Sequence, residues 1–554
     1  MRLPFFFTLL LSFVVAYGQP KGVKNASASV ASVVTYKDGV LKTDGSALFV
    51  DGNGDVVASR RLFVDADSAV VIDNNGKVHP VRNIVGVDDV FDCVKVRVAN
   101  VKKKKHLVPS SCKVNVGDVL YMLSYGVKKN VSAEPFKVVA VDSVYSLAYY
   151  TLDRSVRENS LAQPLLNSNG ELVAFMQPSS ANDTVKSYAV SSLLASSLVS
   201  TAKSYGRGYY PGMRIRTAIP DVQSDALSSL YMQAMMGDSL SWLGAINDYM
   251  VAYPQSYEGY QSLAEFVAIY YRDMEQANKA WEKAMLLTEN KDEVYFGMAK
   301  VINEIVQSGD TVSHAMLSSD NALSLVDKAI SINNSPLYAG YKADMLYRLR
   351  RFGDAVKCYE ALAGTDMRSA ELFAKASQCY VVMHELDKAV EMLDSAVACF
   401  DDGSKEVAPY ILTRGMVKSS AKKYRDAVLD MNRYEELVGG LLSADFYYMR
   451  EQAELNCKMY QQALNDIETA LDIAPENILY YLEKGMLCYR VKLTDEGIRT
   501  MQKACSIAPD EADIYYLSGC LYMQQRNVAE AKKTFEIADK LGHSGARIQL
   551  DNIK

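Results

Sequence analysis

The chain has 554 residues, of which 49% are hydrophobic and 23% charged, and its formal net charge is −6 at pH 7. This length exceeds what one hydrophobic core normally organises, and the composition is that of a folded protein rather than a disordered or collagenous one. The mild acidity argues against a nucleic-acid-binding protein, because neutralising phosphates requires a basic face.

The first residues have the pattern of a secretory signal peptide. Arg2 precedes an apolar run at 3–15, and Ala16 and Gly18 supply small residues before a cleavage point at Gln19. The run is short for a membrane span, and no later segment is apolar for the roughly 18 residues that a span requires. We therefore expect residues 1–18 to be removed and the mature chain, without a transmembrane segment, to be periplasmic, at the cell surface or secreted.

Residues 25–200 alternate short apolar runs with turn sequences. Runs such as 33–36 and 94–98 are separated by Asp38-Gly39, Asn74-Asn75-Gly76 and similar pairs, which permit positive backbone φ angles. Many short strands without intervening helices predict an all-β barrel or sandwich. Cys93 and Cys112 lie in this region and could pair, although spacing alone does not fix connectivity.

Longer motifs in the same region occur in a recognisable order. They are Gly-Ser-Ala-Leu-Phe-Val-Asp at 45–51, the stretch 54–62, Asp-Asp-Val-Phe-Asp-Cys-Val-Lys-Val at 88–96, the stretch 164–173 and Ser-Tyr-Ala-Val at 187–190. These segments resemble the framework of trypsin-like serine proteases of the HtrA type. The resemblance implies a double β-barrel over residues 25–200, followed in this chain by something other than the peptide-binding module common in that family.

The catalytic positions of that family are altered here. By the resemblance, Arg61 occupies the place of the histidine, Asp92 that of the aspartate and Leu161 that of the nucleophile, within Asn-Ser-Leu-Ala-Gln-Pro at 159–164. A guanidinium stays protonated and cannot act as a base, and an aliphatic side chain cannot attack a carbonyl. The two glycines that normally follow the nucleophile are also replaced, so we expect no proteolysis.

In one alternative, the barrel domain remains a protease. Ser160 could enter the site by a shift of one residue, which would leave a serine endopeptidase that recruits substrates through the rest of the chain. The histidines of this region are His79 and His106, and neither lies near the motif in sequence. We interpret both as solvated loop residues, and the neighbouring lysine run 102–105 as a solvated loop.

The segment 201–220 contains Gly206, Gly208, Pro211 and Gly212, which interrupt both flanking patterns and predict a linker. After it, small residues recur at 34-residue spacing, as in Ala463, Gly497 and Ala531. Each is followed four residues later by a bulky apolar residue, as in Ile467, Met501 and Phe535. This spacing places both residues on one helical face, and small residues allow two helices to approach closely.

This pattern resembles tetratricopeptide repeats and extends over residues 221–545 as about nine units. The small residue of the second helix recurs upstream at Ala245, Ala277, Ala322, Ala355, Ala389 and Ala427. The resemblance implies an all-α superhelix, so that the whole chain is a multidomain protein with a trypsin-like double barrel followed by a repeat array.

In that family the ligand usually lies in the groove lined by the first helices. Carrying those positions onto this chain by register gives nine candidate binding residues: Tyr347, Arg348, Tyr448, Gln452, Leu482, Met486, Tyr489, Arg490 and Tyr516. Tyrosine beside arginine is a plausible pair for holding a peptide. The prediction is an exported, non-catalytic scaffold (a pseudoprotease) that binds protein or peptide partners of unknown identity, without nucleic acid, cofactor or metal.

Overall fold

The structure is a computed structural model, and it describes residues 20–101, 103–125, 132–156, 160–178, 185–236, 238–309, 314–401 and 403–553. The predicted signal peptide lies outside these residues. The described chain divides by its contacts into two units. The first runs up to Asn290 and includes Gly309–Met316, and the second comprises Lys291–Ser308 and the residues from Leu317 onward.

Twelve strands in the described part of the first unit form two closed antiparallel barrels, with strand orders β1-β2-β3-β6-β5-β4 and β10-β11-β12-β9-β8-β7. Their bounds are β1 Val30–Lys37, β2 Val40–Phe49, β3 Asp55–Ser59, β4 Ser68–Ile72, β5 Val78–Asp88, β6 Cys93–Val98, β7 Val119–Ser124, β8 Ser132–Val144, β9 Leu147–Leu152, β10 Pro164–Leu166, β11 Leu172–Gln177 and β12 Ser187–Ser191. The expected all-β double barrel is therefore present.

Alternating side chains on these strands fill separate cores. Val33 and Phe49 point into the first barrel, and Leu120 and Val138 into the second. Residues of the opposite parity, such as Leu48, belong to a third buried cluster with residues of both barrels. Each strand is therefore apolar on two faces where the barrels meet, which explains the nearly continuous apolar runs in its sequence.

The predicted linker packs against the first barrel. Met213 and Ile215 are buried in the core of that barrel. The Ile84 N–H of β5 donates to the Arg216 carbonyl at 2.9 Å, and the Ala218 N–H donates to the Ile84 carbonyl at 2.7 Å. This segment therefore extends the barrel by a short parallel pairing, and its glycines serve turns within a packed connection.

Helices account for most of the remaining described residues. Two short ones flank the barrels, α1 Lys21–Ala26 and α2 Leu194–Ser197. Those that follow are α3 Gln223–Met236, α4 Ser239–Ala252, α5 Tyr257–Phe266, α6 Met274–Leu287, α7 Lys291–Gln307, α8 Ser319–Ile332, α9 Pro336–Arg348, α10 Phe352–Leu362, α11 Ala370–Val382, α12 Leu386–Val397, α13 Ala408–Ser420, α14 Tyr424–Val438, α15 Ala444–Asn456, α16 Tyr460–Ile473, α17 Ile478–Val491, α18 Thr494–Ile507, α19 Ala512–Gln524, α20 Val528–Lys540 and α21 Ser544–Asn552.

Small residues hold the helices of each pair together. From α3 to α20 the described helices form successive antiparallel pairs, and the small residue predicted in each second helix is buried there. A methyl group at Gly519 on α19 would lie 2.5 Å from Cε1 of Phe535 on α20. Contact this close leaves no room for a side chain, because the atoms between two packed helices are as dense as those in a crystal of small organic molecules.

Charged residues tie consecutive pairs together in the middle of the second unit. On three successive first helices, a cation bridges a carboxylate of the preceding second helix and a carboxylate of its own second helix. The bridges are Arg414 to Asp394 at 2.8 Å and Asp430 at 2.6 Å, Arg450 to Glu435 at 2.5 Å and Asp466 at 2.6 Å, and Lys484 to Glu468 at 2.7 Å and Glu496 at 2.9 Å. We call these contacts the cation bridges.

The close approach at Gly519 makes a testable prediction. Gly519→Ala should destabilise the α19–α20 pair by about 1–3 kcal/mol, because the added methyl forces the Phe535 ring from its site. The matched control is Gly353→Ala on α10, where the methyl would meet nothing within 4 Å and should leave stability unchanged or slightly higher. Hydrogen exchange of peptides from α19 and α20 measures the difference, and equal protection in both variants would contradict the packing argument.

Candidate functional site

The aspartate at the protease-like position is held by residues of the preceding strand and turn. Asp92 lies directly before β6, and Arg61 lies in the short 3-10 turn Arg60–Leu62 after β3. The Ser59 hydroxyl donates to Asp92 Oδ2 at 2.5 Å, and the Arg61 backbone N–H donates to Oδ1 at 3.1 Å. The Arg61 Nε atom is 3.7 Å from the same Oδ1, and its side chain is 63% exposed. The structure thus brings Arg61 and Asp92 together.

The surroundings of the Asp92 carboxyl differ from those of the aspartate in a serine protease triad. Burial raises the pKa of the Asp92 carboxyl, although the Ser59 hydroxyl and the Arg61 charge act in the opposite direction. In a serine protease the corresponding carboxylate orients an imidazole that takes the proton of the nucleophile. Here it contacts a backbone amide, a hydroxyl and a permanently protonated guanidinium. These contacts hold the turn against the carboxyl, and no imidazole is among them in the described residues.

The nucleophile motif forms a tight turn before β10. Ala162 has a φ of 57° and is buried, and its N–H donates to the Met176 carbonyl at 3.0 Å. The Gln163 N–H donates to the Ser160 carbonyl at 3.3 Å. The amides at the two positions where the protease family has glycine are therefore engaged within the domain. Leu161 is half-buried, and Ser160 is buried.

The interpretation of His79 as a solvated loop residue is wrong. His79 lies on β5 with 4% of its surface exposed, and its Nε2 is 3.2 Å from Asp73 Oδ2. Its ring meets Phe49 edge to face. The sequence missed this because the polar pattern at 73–79 resembles a turn, whereas a buried carboxylate satisfies the imidazole.

The interpretation of the lysine run as solvated is also wrong for Lys104. Its ammonium pairs with the buried Asp73, and its side chain lies over the Phe49 ring. Burial acts to raise the pKa of Asp73, but hydrogen bonds from Lys104 and His79 outweigh it and hold that pKa well below its ordinary value. Lys103, Lys105 and His106 are exposed as expected. Lys102 lies outside the described residues.

A polar cavity of about 580 Å³ lies between the barrels on the side of Ser160. Ser46 of the first barrel lines it, and the Ser46 hydroxyl is buried without a hydrogen-bond partner in the described residues. Gln163 of the second barrel accepts a hydrogen bond there from Ser124 at 3.2 Å. Arg61 and Asp92 are not among the lining residues, so this cavity does not combine Ser160 with the remaining protease-like positions.

Two closed six-stranded antiparallel barrels, followed in sequence by helix pairs with buried small residues at their contacts, define a trypsin-like domain joined to a helical-repeat array. Residues 512–541 match the family model of the tetratricopeptide repeat. A TPR repeat-containing protein of Methanocaldococcus jannaschii is 22% identical over 239 residues, which cover 40% of this chain and 41% of that protein. The resemblance to tetratricopeptide repeats is therefore confirmed, whereas the extent over 221–545 and the number of nine units stay predictions.

The barrel region has protease relatives. Serine endoprotease DegS of Haemophilus influenzae is 28% identical over 161 residues, which cover 27% of this chain and 46% of DegS. The crystal structure of a serine endoprotease from Yersinia pestis aligns with 33% of this chain and 65% of that chain at 18% identity and a TM-score of 0.29. The chain spans less than half the length of the Methanocaldococcus jannaschii protein and of DegS. It combines tetratricopeptide repeats with an N-terminal domain similar to that of HtrA-type proteases.

The nine predicted groove residues all lie on first helices, but their environments differ. Met486 and Tyr489 on α17 are 51% and 42% exposed, and Arg490 and Arg348 are exposed as well. The others are half-buried: Tyr347 against Phe352, Tyr448 against Tyr480, Tyr516 stacked on His543 at 3.9 Å, Leu482 in a core cluster, and Gln452, whose amide donates to Glu451 at 2.9 Å. The exposed surface available for contact is therefore concentrated on α17.

A recess on the first helices α9 and α11 was missed from the sequence. It has a volume of about 270 Å³, and Phe296, Leu337 and Met367 line it around Gly340. A methyl group at Gly340 would meet only the ends of Leu362 and Met367, at 3.8 and 3.9 Å. The available signal was a glycine within a first helix, three residues before the small residue Ala343.

Two buried carboxyls on α15 were also missed. Glu451 and Glu454 are buried, and one oxygen of each has no hydrogen-bond partner in the described residues. Burial and the nearby carboxylates of Glu483 and Asp466 raise the pKa of Glu451 to about 8, and burial and Asp466 raise that of Glu454 to about 8.

Other site classes find no support in the described ranges. Among those residues, no group of three or more histidine, cysteine or acidic side chains is arranged to hold a metal ion. No described helix is both long and apolar enough to cross a membrane. All nine cysteines are free thiols, so Cys93 and Cys112 are not joined.

The buried carboxyls predict a pH-dependent stability. Their ordinary pKa is 4.5 and their folded pKa about 8, so the folded state holds protons that the unfolded state releases. The contribution of these two carboxyls to the free energy of unfolding should therefore be fully present at and below pH 4.5, fall as the pH rises to about 8 and then level off, by on the order of a few kcal/mol.

Glu451→Gln combined with Glu454→Gln should flatten this slope, because the amides cannot ionise. Hydrogen exchange of α15 and α16 between pH 5 and pH 9, corrected for intrinsic exchange rates, measures it. Glu476→Gln, an exposed residue in the turn before α17, serves as the control and should keep the slope. A slope that persists in the double variant would show that other groups cause it.

Proposed function

We propose that this protein is an exported, non-catalytic scaffold that binds protein or peptide partners through its repeats, and that its barrel domain is a pseudoprotease. The observation that carries the proposal is the environment of Asp92. Its carboxylate contacts the Ser59 hydroxyl and the Arg61 backbone and guanidinium, where proteolysis requires an imidazole.

Proteolysis requires the base and the nucleophile of the catalytic triad together. Base and nucleophile act as a unit, so the loss of one costs nearly as much as the loss of both. Here Leu161 stands at the nucleophile, and both imidazoles of the barrel domain have other partners: His79 bonds Asp73, and His106 bonds the Lys104 carbonyl at 3.0 Å. This supports a barrel domain that serves as a folded platform.

The repeats supply the surface for binding. On α17, Met486, Tyr489 and Arg490 present an apolar, an aromatic and a cationic side chain to solvent. Residues of these types are enriched at the centres of protein interfaces, because they bury large area while keeping polar contacts. The signal peptide pattern at 1–18 supports export, with the periplasm, cell surface or medium as the destination.

The second candidate is a serine endopeptidase with a rearranged active site. The observation in its favour is the cavity between the barrels, which is lined by Ser160 and by the unpartnered hydroxyl of Ser46. Two hydroxyls without a base do not form a nucleophile at neutral pH. The two candidates therefore differ in one measurable property, the reactivity of Ser160.

A fluorophosphonate probe should leave the purified protein unlabelled, because labelling requires an activated hydroxyl. The readout is mass spectrometry of the peptide containing Ser160, with an active trypsin-like protease in the same tube as the positive control. Labelling of Ser160 that is lost in Ser160→Ala would establish the endopeptidase instead.

Tyr489→Ala combined with Arg490→Ala should weaken capture of groove partners at least about tenfold, since removal of two interface anchors costs at least 1.4 kcal/mol. Partners are captured by crosslinking in the native cell and quantified by mass spectrometry. Because both side chains are exposed, thermal melting should stay nearly unchanged.

The control for this experiment is Arg425→Ala combined with Leu429→Ala, an exposed pair on the second helix α14. It removes comparable side chains from a different face and should leave capture intact. If the α17 variant captures partners as well as the unmodified protein, the first-helix face is not the binding surface.

A further inference from the structure

Four arginines from distant parts of the first unit converge on one cleft. Arg82 comes from β5, and Arg207, Arg214 and Arg216 come from the segment that connects the barrels to α3. Together they line a cavity of about 340 Å³. The sequence pattern in this segment was interpreted only as a linker, and neither the protease-like positions nor the repeat groove accounts for these residues.

Arg214 and Arg216 lie on either side of a buried residue of the connecting segment. Ile215 is buried in the core of the first barrel, so Arg214 and Arg216 on either side of it are directed away from that core. The Arg216 carbonyl accepts the Ile84 N–H, which fixes the segment beside Arg82. Gly244 on α4 leaves room for the Arg216 guanidinium, because a methyl group there would lie 3.4 Å from Nη2.

Two of the four charges are not neutralised by neighbours. Arg216 pairs with Asp248 at 2.7 Å, and Arg214 lies 3.6 Å from Asp65. Arg82 and Arg207 are exposed and form neither an ion pair nor a hydrogen bond within the described residues. The lining of the cleft thus carries four guanidinium groups and two carboxylates, those of Asp67 and Asp248, and has an excess of positive charge.

A second cavity continues the first. It has a volume of about 520 Å³, shares Arg207 and Arg216 with the arginine cleft, and adds the side chains of Gln233, Leu240 and Ser241 from α3 and α4. Leu240 is 79% exposed. The two cavities therefore adjoin at these arginines, and we call them together the path. Its lining offers guanidinium groups, an amide, a hydroxyl, an apolar contact and the carboxylate of Asp238. Such a sequence of contacts suits an extended chain more than a single ion.

We propose that this path binds an acidic peptide segment, whose carboxylates are held by Arg82 and Arg207. A planar guanidinium binds a carboxylate through two parallel N–H donors, whether that carboxylate belongs to an Asp or Glu side chain or to a chain terminus. Asp67 and Asp248 also line the arginine cleft, and their negative charges oppose a dianionic phosphate more strongly than a monoanionic carboxylate. This site is separate from the repeat groove and independent of whether that groove binds peptides.

The test uses the full chain and fluorescence anisotropy with a fluorescein-labelled peptide, Gly followed by four Glu, as the free acid and as the C-terminal amide. Arg82→Gln combined with Arg207→Gln should weaken binding of the free acid at least about tenfold, since it removes two charge-assisted contacts. If the free acid and the amide bind equally, the arginines bind the side-chain carboxylates of the peptide. If the amide does not bind, they bind its terminal carboxylate. Both results support the proposal.

The matched control is Lys103→Gln combined with Lys105→Gln, which removes the same charge from another exposed part of the barrel domain. It should bind the peptide as the unmodified chain does. Three results would overturn the proposal: equal weakening in the lysine variant, equal binding of a peptide with four Gln, or displacement of the peptide by equimolar inorganic phosphate.

Discussion

The second unit depends on how closely its helices approach one another. At Gly485 and Gly519 a single methyl group would collide with the facing second helix, and the small residues of the second helices, such as Ala463 and Ala531, are fully buried. Close approach brings the long side chains around each contact into van der Waals range and fixes the angle of each pair. Each helix pair needs small residues at its contact, and this requirement, repeated once in every pair, produces the period visible in the sequence.

That constraint explains why the architecture could be predicted. Small residues at fixed spacing follow from backbone distance, and turn sequences such as Asp38-Gly39 follow from positive φ angles, so both leave local traces in the sequence. The barrel motifs are similarly local. In contrast, His79 was misinterpreted because its partner Asp73, which also pairs with Lys104, is a polar residue of an apparent turn. Whether such groups are solvated or buried together depends on strand closure, which no short segment specifies.

The candidate sites also divide into those that could be predicted from local sequence and those that could not. Arg61 and Asp92 were placed by motif, and the structure brings them together because each motif is bound to a strand of one barrel. The recess around Gly340 and the cleft around Arg82 could not be predicted, because each is formed by elements far apart in sequence. Register also identified Tyr489 without showing that Tyr516 is stacked on His543. Position on a helix face can be predicted from periodicity, but exposure depends on the neighbouring element.

The cation bridges relate the array to the order in which its helices are translated. Glu435 and Glu468 precede the cations that neutralise them, Arg450 and Lys484, by one helix in the chain. During synthesis, the repeats that carry Asp394, Glu435 and Glu468 therefore leave the ribosome before the cation that will bind each of these side chains. A ribosome that stalls between two of these repeats would leave such a carboxylate hydrated at the end of the growing array.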